Sequence, residues 1–255
     1  MTKGIFQPAD NFSRFGATFR LTVAVRWLLI INVAIYICEL IVARIDGGLD
    51  LITFDLAISY DRVFSGEIWQ VLTYMFLHDP RGISHILWNM LMLWMFGSPL
   101  EHFWGARRFL NFYLFTGIAA ALVILFVAWL VPSQRAIPTL GASGALYALL
   151  IAFGFLFPNN LVYLFGLFPI KGKHLVLLFI GIGVLQSLTL SAADVSLAAH
   201  FGGMLAGGLL VTGAWKPQKV YYWIKTWWVR RRYLKLKKRI QLVEPDSKNK
   251  PTYMN

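Results

Sequence analysis

Four side chains in this sequence have the types and spacing for chemistry in a place where polar groups are costly: Ser143, His200, His85 and Asn89, each within an apolar run. A serine hydroxyl becomes a nucleophile when a base takes its proton, and a histidine with a near-neutral pKa suits that task. Ser143 stands in Gly141-Ala-Ser143-Gly144, shortly after Pro138, where a new helix should start. His200 opens a run in which Gly203 and Gly207 fall on nearly one helical face, a stripe of small residues that lets another backbone come close. His85 and Asn89 are four residues apart and share a helix face. A serine, a base and such donors together suit acyl transfer. The oxyanion would be held by the Asn89 amide, a His85 N–H and the backbone N–H of Ser143 at a helix N-terminus. None of the apolar runs carries an aspartate to orient His200, so a Ser-His dyad is expected, with packing from Tyr147, one turn beyond Ser143, supplying the orientation.

Each residue also has a simpler reading. A serine at a helix start is usually a cap; His85 and Asn89 are adequate as interhelical hydrogen bonders, and the glycines as tight packing. Glu39, inside the first apolar run, reads as another hydrogen bonder and is assigned no role. The chemical reading rests on the coincidence of type and depth.

The elements that position these groups follow from composition. The chain has 255 residues, 58% of them hydrophobic, with a mean hydropathy of +0.60, which places it in a membrane. Apolar runs at 27–45, 83–100, 108–131, 143–157, 174–192 and 197–215 lie near the ~20 residues of a spanning helix. The expected fold is all-α: a polytopic six-helix transmembrane bundle over residues 27–215, between an N-terminal segment (1–26) and a basic, aromatic-rich tail (216–255). The first run is long for a signal peptide and no small-x-small cleavage site follows it, so it reads as an anchor. With six spans both termini share a side. Twenty of the 24 lysines and arginines fall on that side, and only Arg44, Arg62, Arg81 and Arg135 on the other, with seven acids. Both termini are therefore expected in the cytoplasm. Counted from the cytoplasmic helix ends at ~1.5 Å per residue, Ser143, His200 and His85 lie ~21–22 Å up and Asn89 ~17 Å, a common depth beneath the outer boundary of a ~30 Å hydrocarbon core.

Half of the basic residues lie from Lys216 onward, where Tyr221, Trp223, Trp227 and Trp228 precede Arg230, Arg231, Arg232, Lys235 and Lys237. Beside a span end this pattern reads as an interfacial helix on anionic lipid, not a nucleic-acid site. The lone Cys38 excludes an internal disulfide and any multi-cysteine metal centre, and no cofactor or metal is expected. The long, semi-apolar connection from Asp46 to Ile68 is expected to lie partly in the outer leaflet.

At these positions the sequence resembles the rhomboid family. His85-Ile-Leu-Trp-Asn89 is similar to the family's His-x-x-x-Asn segment, Gly141-Ala-Ser143-Gly144 to its Gly-x-Ser-Gly, and Ala199-His200 with Gly203 and Gly207 to its last core helix. Glu101, Trp104-Gly105, Arg107 and Phe109 resemble its element between the second and third helices, and His78 an additional histidine ahead of the His-x-x-x-Asn segment. The resemblance covers about residues 60–215 and implies an intramembrane serine protease. Its substrates would be single-span membrane proteins, cut near their outer end after a small residue, with access beside the second and fifth helices. In the fifth, Gly181 and Gly183 are expected to loosen packing. Trp69-Gln70 stands where many members carry Trp-Arg, which bears on how the first loop is anchored. The expected location is a bacterial cytoplasmic membrane. The alternative is a non-enzymatic membrane protein: a transporter, or a chaperone-like relative that thins the bilayer, for which a short fourth helix would also serve.

Overall fold

In the computed structural model, which describes residues 21–45, 50–164, 168–189, 193–214 and 217–241, the described residues of the apolar runs are mostly helical. The first lies in α1 (Val23–Ile45). After it come three short helices, α2 (Asp50–Leu56), α3 (Tyr60–Phe64) and α4 (Gln70–Thr73). The second run forms one rod, α5 (Ile83–Met92) and α6 (Ser98–Trp104) joined by a π-helical turn at Leu93–Gly97. The others form α7 (Ala106–Leu130), α8 (Ser143–Leu156), α9 (Gly172–Thr189) and α10 (Ala193–Thr212). By length and composition α1 and α7 are long and apolar enough to cross a membrane, whereas α8, Gly172–Leu185 of α9 and Leu197–Thr212 of α10 are shorter apolar helices.

The core sits around α8. Nearly every residue from Gly144 to Phe153 is buried, as befits a helix that is apolar all round, and it packs on α5, α7 and α9. At 14 residues it is ~21 Å long, well under a bilayer's ~30 Å core. The N-terminus of α1 is held from another helix. The buried Glu101 carboxylate of α6 accepts the N–H groups of Ala24 and Val25, both at 2.9 Å, and the Thr22 hydroxyl at 2.5 Å. These are donors that a helix start otherwise leaves without a partner, and a negative charge is favoured there.

The connection between α1 and α5 is built, not loose. Arg62 bridges Asp55 and Glu67, each at 2.8 Å, and both contacts raise its pKa. Gln70 is fully buried: its Oε1 accepts the Ser59 N–H (3.1 Å), and its Nε2 donates to Phe54 O (3.2 Å) and Glu67 Oε2 (2.8 Å). The Trp69 indole N–H reaches Asp55 O at 2.8 Å. The neutral Gln70 amide thus anchors the loop, supplying both a donor and an acceptor.

Two expectations are corrected. The fold is mostly helical but not all-α, because β1 (Leu161–Leu164) and β2 (Phe168–Lys171) pair antiparallel between α8 and α9, with Leu161 opposite Lys171 and Leu164 opposite Phe168. Leu-Val-Tyr-Leu and Phe-Pro-Ile are apolar and rich in strand-favouring residues, yet four-residue strands are too short for periodicity to mark. In α9, Gly183 does not loosen packing: a Cβ there would overlap the Tyr147 phenol, so the missing side chain admits a neighbour, while Gly181 faces open space.

The chain divides into two compact units, residues 1–211 and 212–255. Of the expected N-terminal segment, residues 1–20 lie outside the described residues, as do 242–255 of the tail. The tail forms α11 (Pro217–Gln241), with Arg231 4.5 Å over the Trp227 ring and Arg232 5.5 Å over Trp228. Exposed Trp227 and Leu236 lie ~180° apart around the helix. Its apolar and basic residues therefore encircle the axis instead of forming the single apolar face of an interfacial helix.

Candidate active site

Ser143 is not the cap of its helix. Ala142 occupies the N-cap position and Ser143 is the first helical residue, which frees its hydroxyl. The segment leading into it is fixed by backbone bonds from two directions. Thr139 and Ile58 exchange N–H···O bonds of 2.8 and 2.9 Å, tying the first loop to this turn, and the Gly141 N–H donates to Tyr74 O at 2.9 Å. Gly141 has φ +122°, a region that disfavours side chains, and a Cβ there would lie 3.0 Å from His85 Nε2 and 3.8 Å from Asn89 Nδ2. The glycine thus brings the turn against both polar side chains of α5.

From α10, His200 places Nε2 3.0 Å from Ser143 Oγ. The other ring nitrogen, Nδ1, is buried with no hydrogen-bond partner among the described residues. The His200 ring stacks on Tyr147, centroids 4.3 Å apart and planes 30° apart, so its orientation comes from packing. The Tyr147 hydroxyl in turn donates to Phe179 O on α9 at 3.4 Å. Close approach of α8 and α10 makes this reach feasible. A Cβ on Gly203 would overlap the Gly144 carbonyl, one on Gly207 would lie 2.8 Å from Ala148 Cα, and one on Gly144 would lie 2.6 Å from Ala120 Cβ on α7. The small-residue stripe of α10 therefore lies directly on α8.

On α5, Asn89 is buried and its Nδ2 is without an acceptor among the described residues. His85 Nδ1 accepts the Asp79 N–H at 3.4 Å, which assigns the proton of the neutral ring to Nε2, the nitrogen nearest Gly141. Asp79 is clamped by Arg81, with contacts of 2.8–3.1 Å that hold its carboxyl below the usual carboxylate range. The structure thus gathers Ser143, His200, Tyr147, His85, Asn89, Gly141, Gly144, Gly203 and Gly207. A serine hydroxyl against an imidazole, with amide and imidazole N–H groups beside the same turn, has the parts for acyl transfer.

Residues 65–217 match the family model described as the Rhomboid domain, which covers more than half of the chain. The chain belongs to the rhomboid family. Rhomboid proteins are integral membrane proteins, and the match takes in Ser143, His200, Tyr147, His85, Asn89 and the glycines around them. The chain is 37% identical over 132 residues to rhomboid protein 1, mitochondrial, of Saccharomyces cerevisiae, covering 49% of this chain and 36% of that one. It is 30% identical over 146 residues to the rhomboid protease GluP of Bacillus subtilis (57% and 26%). To RHOMBOID-like protein 12, mitochondrial, of Arabidopsis thaliana it is 30% identical over 158 residues (57% and 46%). The chain spans less than half of the length of these relatives.

Sequence reasoning left three supports of this rhomboid site unread. Glu39 accepts the His78 backbone N–H, with carboxylate oxygens at 3.1 and 3.3 Å. Tyr74 holds Gly141 through its backbone and Gly117 O through its hydroxyl (2.7 Å). Gly183 makes room for Tyr147. Two of these act on or through main-chain atoms, which residue type does not disclose.

Proposed function

We propose that this rhomboid is an intramembrane serine endopeptidase, with Ser143 as nucleophile and His200 as general base. The observation that carries the reading is the 3.0 Å approach of His200 Nε2 to Ser143 Oγ inside an apolar helical bundle. Neutral His200 takes the hydroxyl proton as Oγ attacks the scissile carbonyl, and the Asn89 amide, the His85 Nε2–H and the Ser143 N–H stabilise the oxyanion. Protonated His200 then gives its proton to the leaving amine, and water repeats the cycle on the acyl-enzyme. His200 Nδ1, buried and without a hydrogen-bond partner among the described residues, favours a dyad over a triad, with the Tyr147 stack as the orienting contact. The cycle consumes only water and uses no metal or cofactor.

The substrates are single-span membrane proteins cut near the extracytoplasmic face. A scissile bond inside an intact helix is shielded, so segments weakened by glycine, proline or polar residues unwind more readily into the site. The six helices span the membrane with both termini cytoplasmic, as the basic asymmetry favours. Exposed Phe64, Ile68 and Trp69 support a first loop dipping into the outer leaflet. The cations around α11 fit anionic headgroups electrostatically, without insertion of one apolar face.

The test is cleavage of a model transmembrane substrate by purified protein in proteoliposomes. Ser143→Ala and His200→Ala are expected to abolish cleavage while retaining the wild-type melting profile. Unchanged turnover in His200→Ala contradicts the assignment of the base, and substrate binding without cleavage by the wild type favours the non-enzymatic client-binding alternative.

A further inference from the structure

The single acid of α1 has no place in the proposed reaction, yet it is not idle. Glu39 is 3% exposed, and both carboxylate oxygens face the backbone N–H of His78, on a different segment. His78 is itself fully buried, its two ring nitrogens have no partner among the described residues, and its ring lies 5.2 Å from that of His85. One residue further on, the Asp79 N–H donates to His85 Nδ1. A buried carboxyl group is expensive in an apolar surrounding, and here it accepts from one backbone amide, the one that fixes where residues 77–79 run.

We propose that Glu39 is a positioning residue for His85, acting through the His78–Asp79 main chain, and this rests on the reading of His85 as an oxyanion donor. Glu39 seats the His78 N–H. That seating presents the Asp79 N–H to His85 Nδ1, and the bond to Nδ1 keeps the ring proton on Nε2, beside Gly141 and the turn that ends at Ser143. Without the acceptor at position 39 the segment loses its anchor and His85 loses the bond that selects its donor tautomer. The role requires an acceptor and not a charge, so a carboxamide should serve.

The experiment compares Glu39→Met and Glu39→Gln in the full chain, with cleavage kinetics and 15N NMR of the His85 ring as readouts. Glu39→Met is expected to lower kcat about tenfold with KM unchanged, a modest share of the ~100-fold that a misplaced group can cost. It should also shift His85 from the Nε2–H tautomer to a mixture. Glu39→Gln is expected to retain both the rate and the tautomer, and Glu39→Met should cost nothing further in a His85→Ala background. Wild-type kcat and tautomer in Glu39→Met, or a Glu39→Gln as impaired as Glu39→Met, overturns the proposal. The NMR readout needs no turnover. A protein that cleaves nothing but shows the tautomer shift thus fails the protease reading while retaining the link from Glu39 to His85.

Discussion

At the scale of single residues, the approach of His200 to Ser143 is set by steric permission as much as by chemistry. Gly141 combines a positive φ with an absent Cβ that would meet His85 Nε2 at 3.0 Å. Gly141→Ala is therefore expected to leave the bundle folded, at a local cost of ~1–3 kcal/mol, and to reduce kcat by about 100-fold by displacing Ser143 from the α5 donors; kinetics alongside a melting curve separates the two effects. Tyr147→Leu removes the surface on which His200 stacks and is expected to lower kcat about tenfold with little change in KM. A fall in KM-linked binding alone would place Tyr147 in substrate recognition instead. Ser143, His200, His85 and Asn89 were legible in the sequence because polar residues in apolar runs are conspicuous. Glu39 was conspicuous too, but its partner is a backbone amide with no residue signature, and so its purpose was not.

At the scale of elements, the site depends on joints between helices that are neighbours in space and distant in sequence. Glu101 receives three donors at the start of α1, and Glu101→Leu is expected to destabilise the fold by ~1–3 kcal/mol, read as a lowered melting temperature in detergent. The Gln70 amide holds the first loop, whose Ile58 pairs with Thr139 just ahead of Ser143. Gln70→Ala should thus cost ~1–2 kcal/mol and also lower kcat; stability lost with kcat intact would detach the loop from the catalytic turn. Helix positions were readable from apolar runs, and the Gly203–Gly207 stripe from its spacing. The β1–β2 hairpin was not, because short strands leave no periodic trace, and Gly183 was misread because a glycine's sequence does not say whether it admits motion or a neighbour's ring.

At the scale of the whole molecule, charge asymmetry and a short central helix describe a protein arranged about a membrane. With Cys38 replaced by serine, a cysteine introduced at Tyr233 on α11 is expected to react with an impermeant maleimide in inverted vesicles and not in right-side-out ones; the reverse pattern contradicts cytoplasmic termini. α8 is ~21 Å long, so with its C-terminal end at the cytoplasmic boundary of a ~30 Å core, the proposed nucleophile Ser143 at its N-terminus lies below the outer boundary and must be reached there by water and substrate. The most direct measurement is therefore labelling of the membrane-embedded protein by a fluorophosphonate, with the modified residue located by mass spectrometry. The expected result is stoichiometric phosphonylation at Ser143, abolished in Ser143→Ala and strongly slowed in His200→Ala. Absence of labelling, or labelling that persists in Ser143→Ala, contradicts a nucleophile at Ser143.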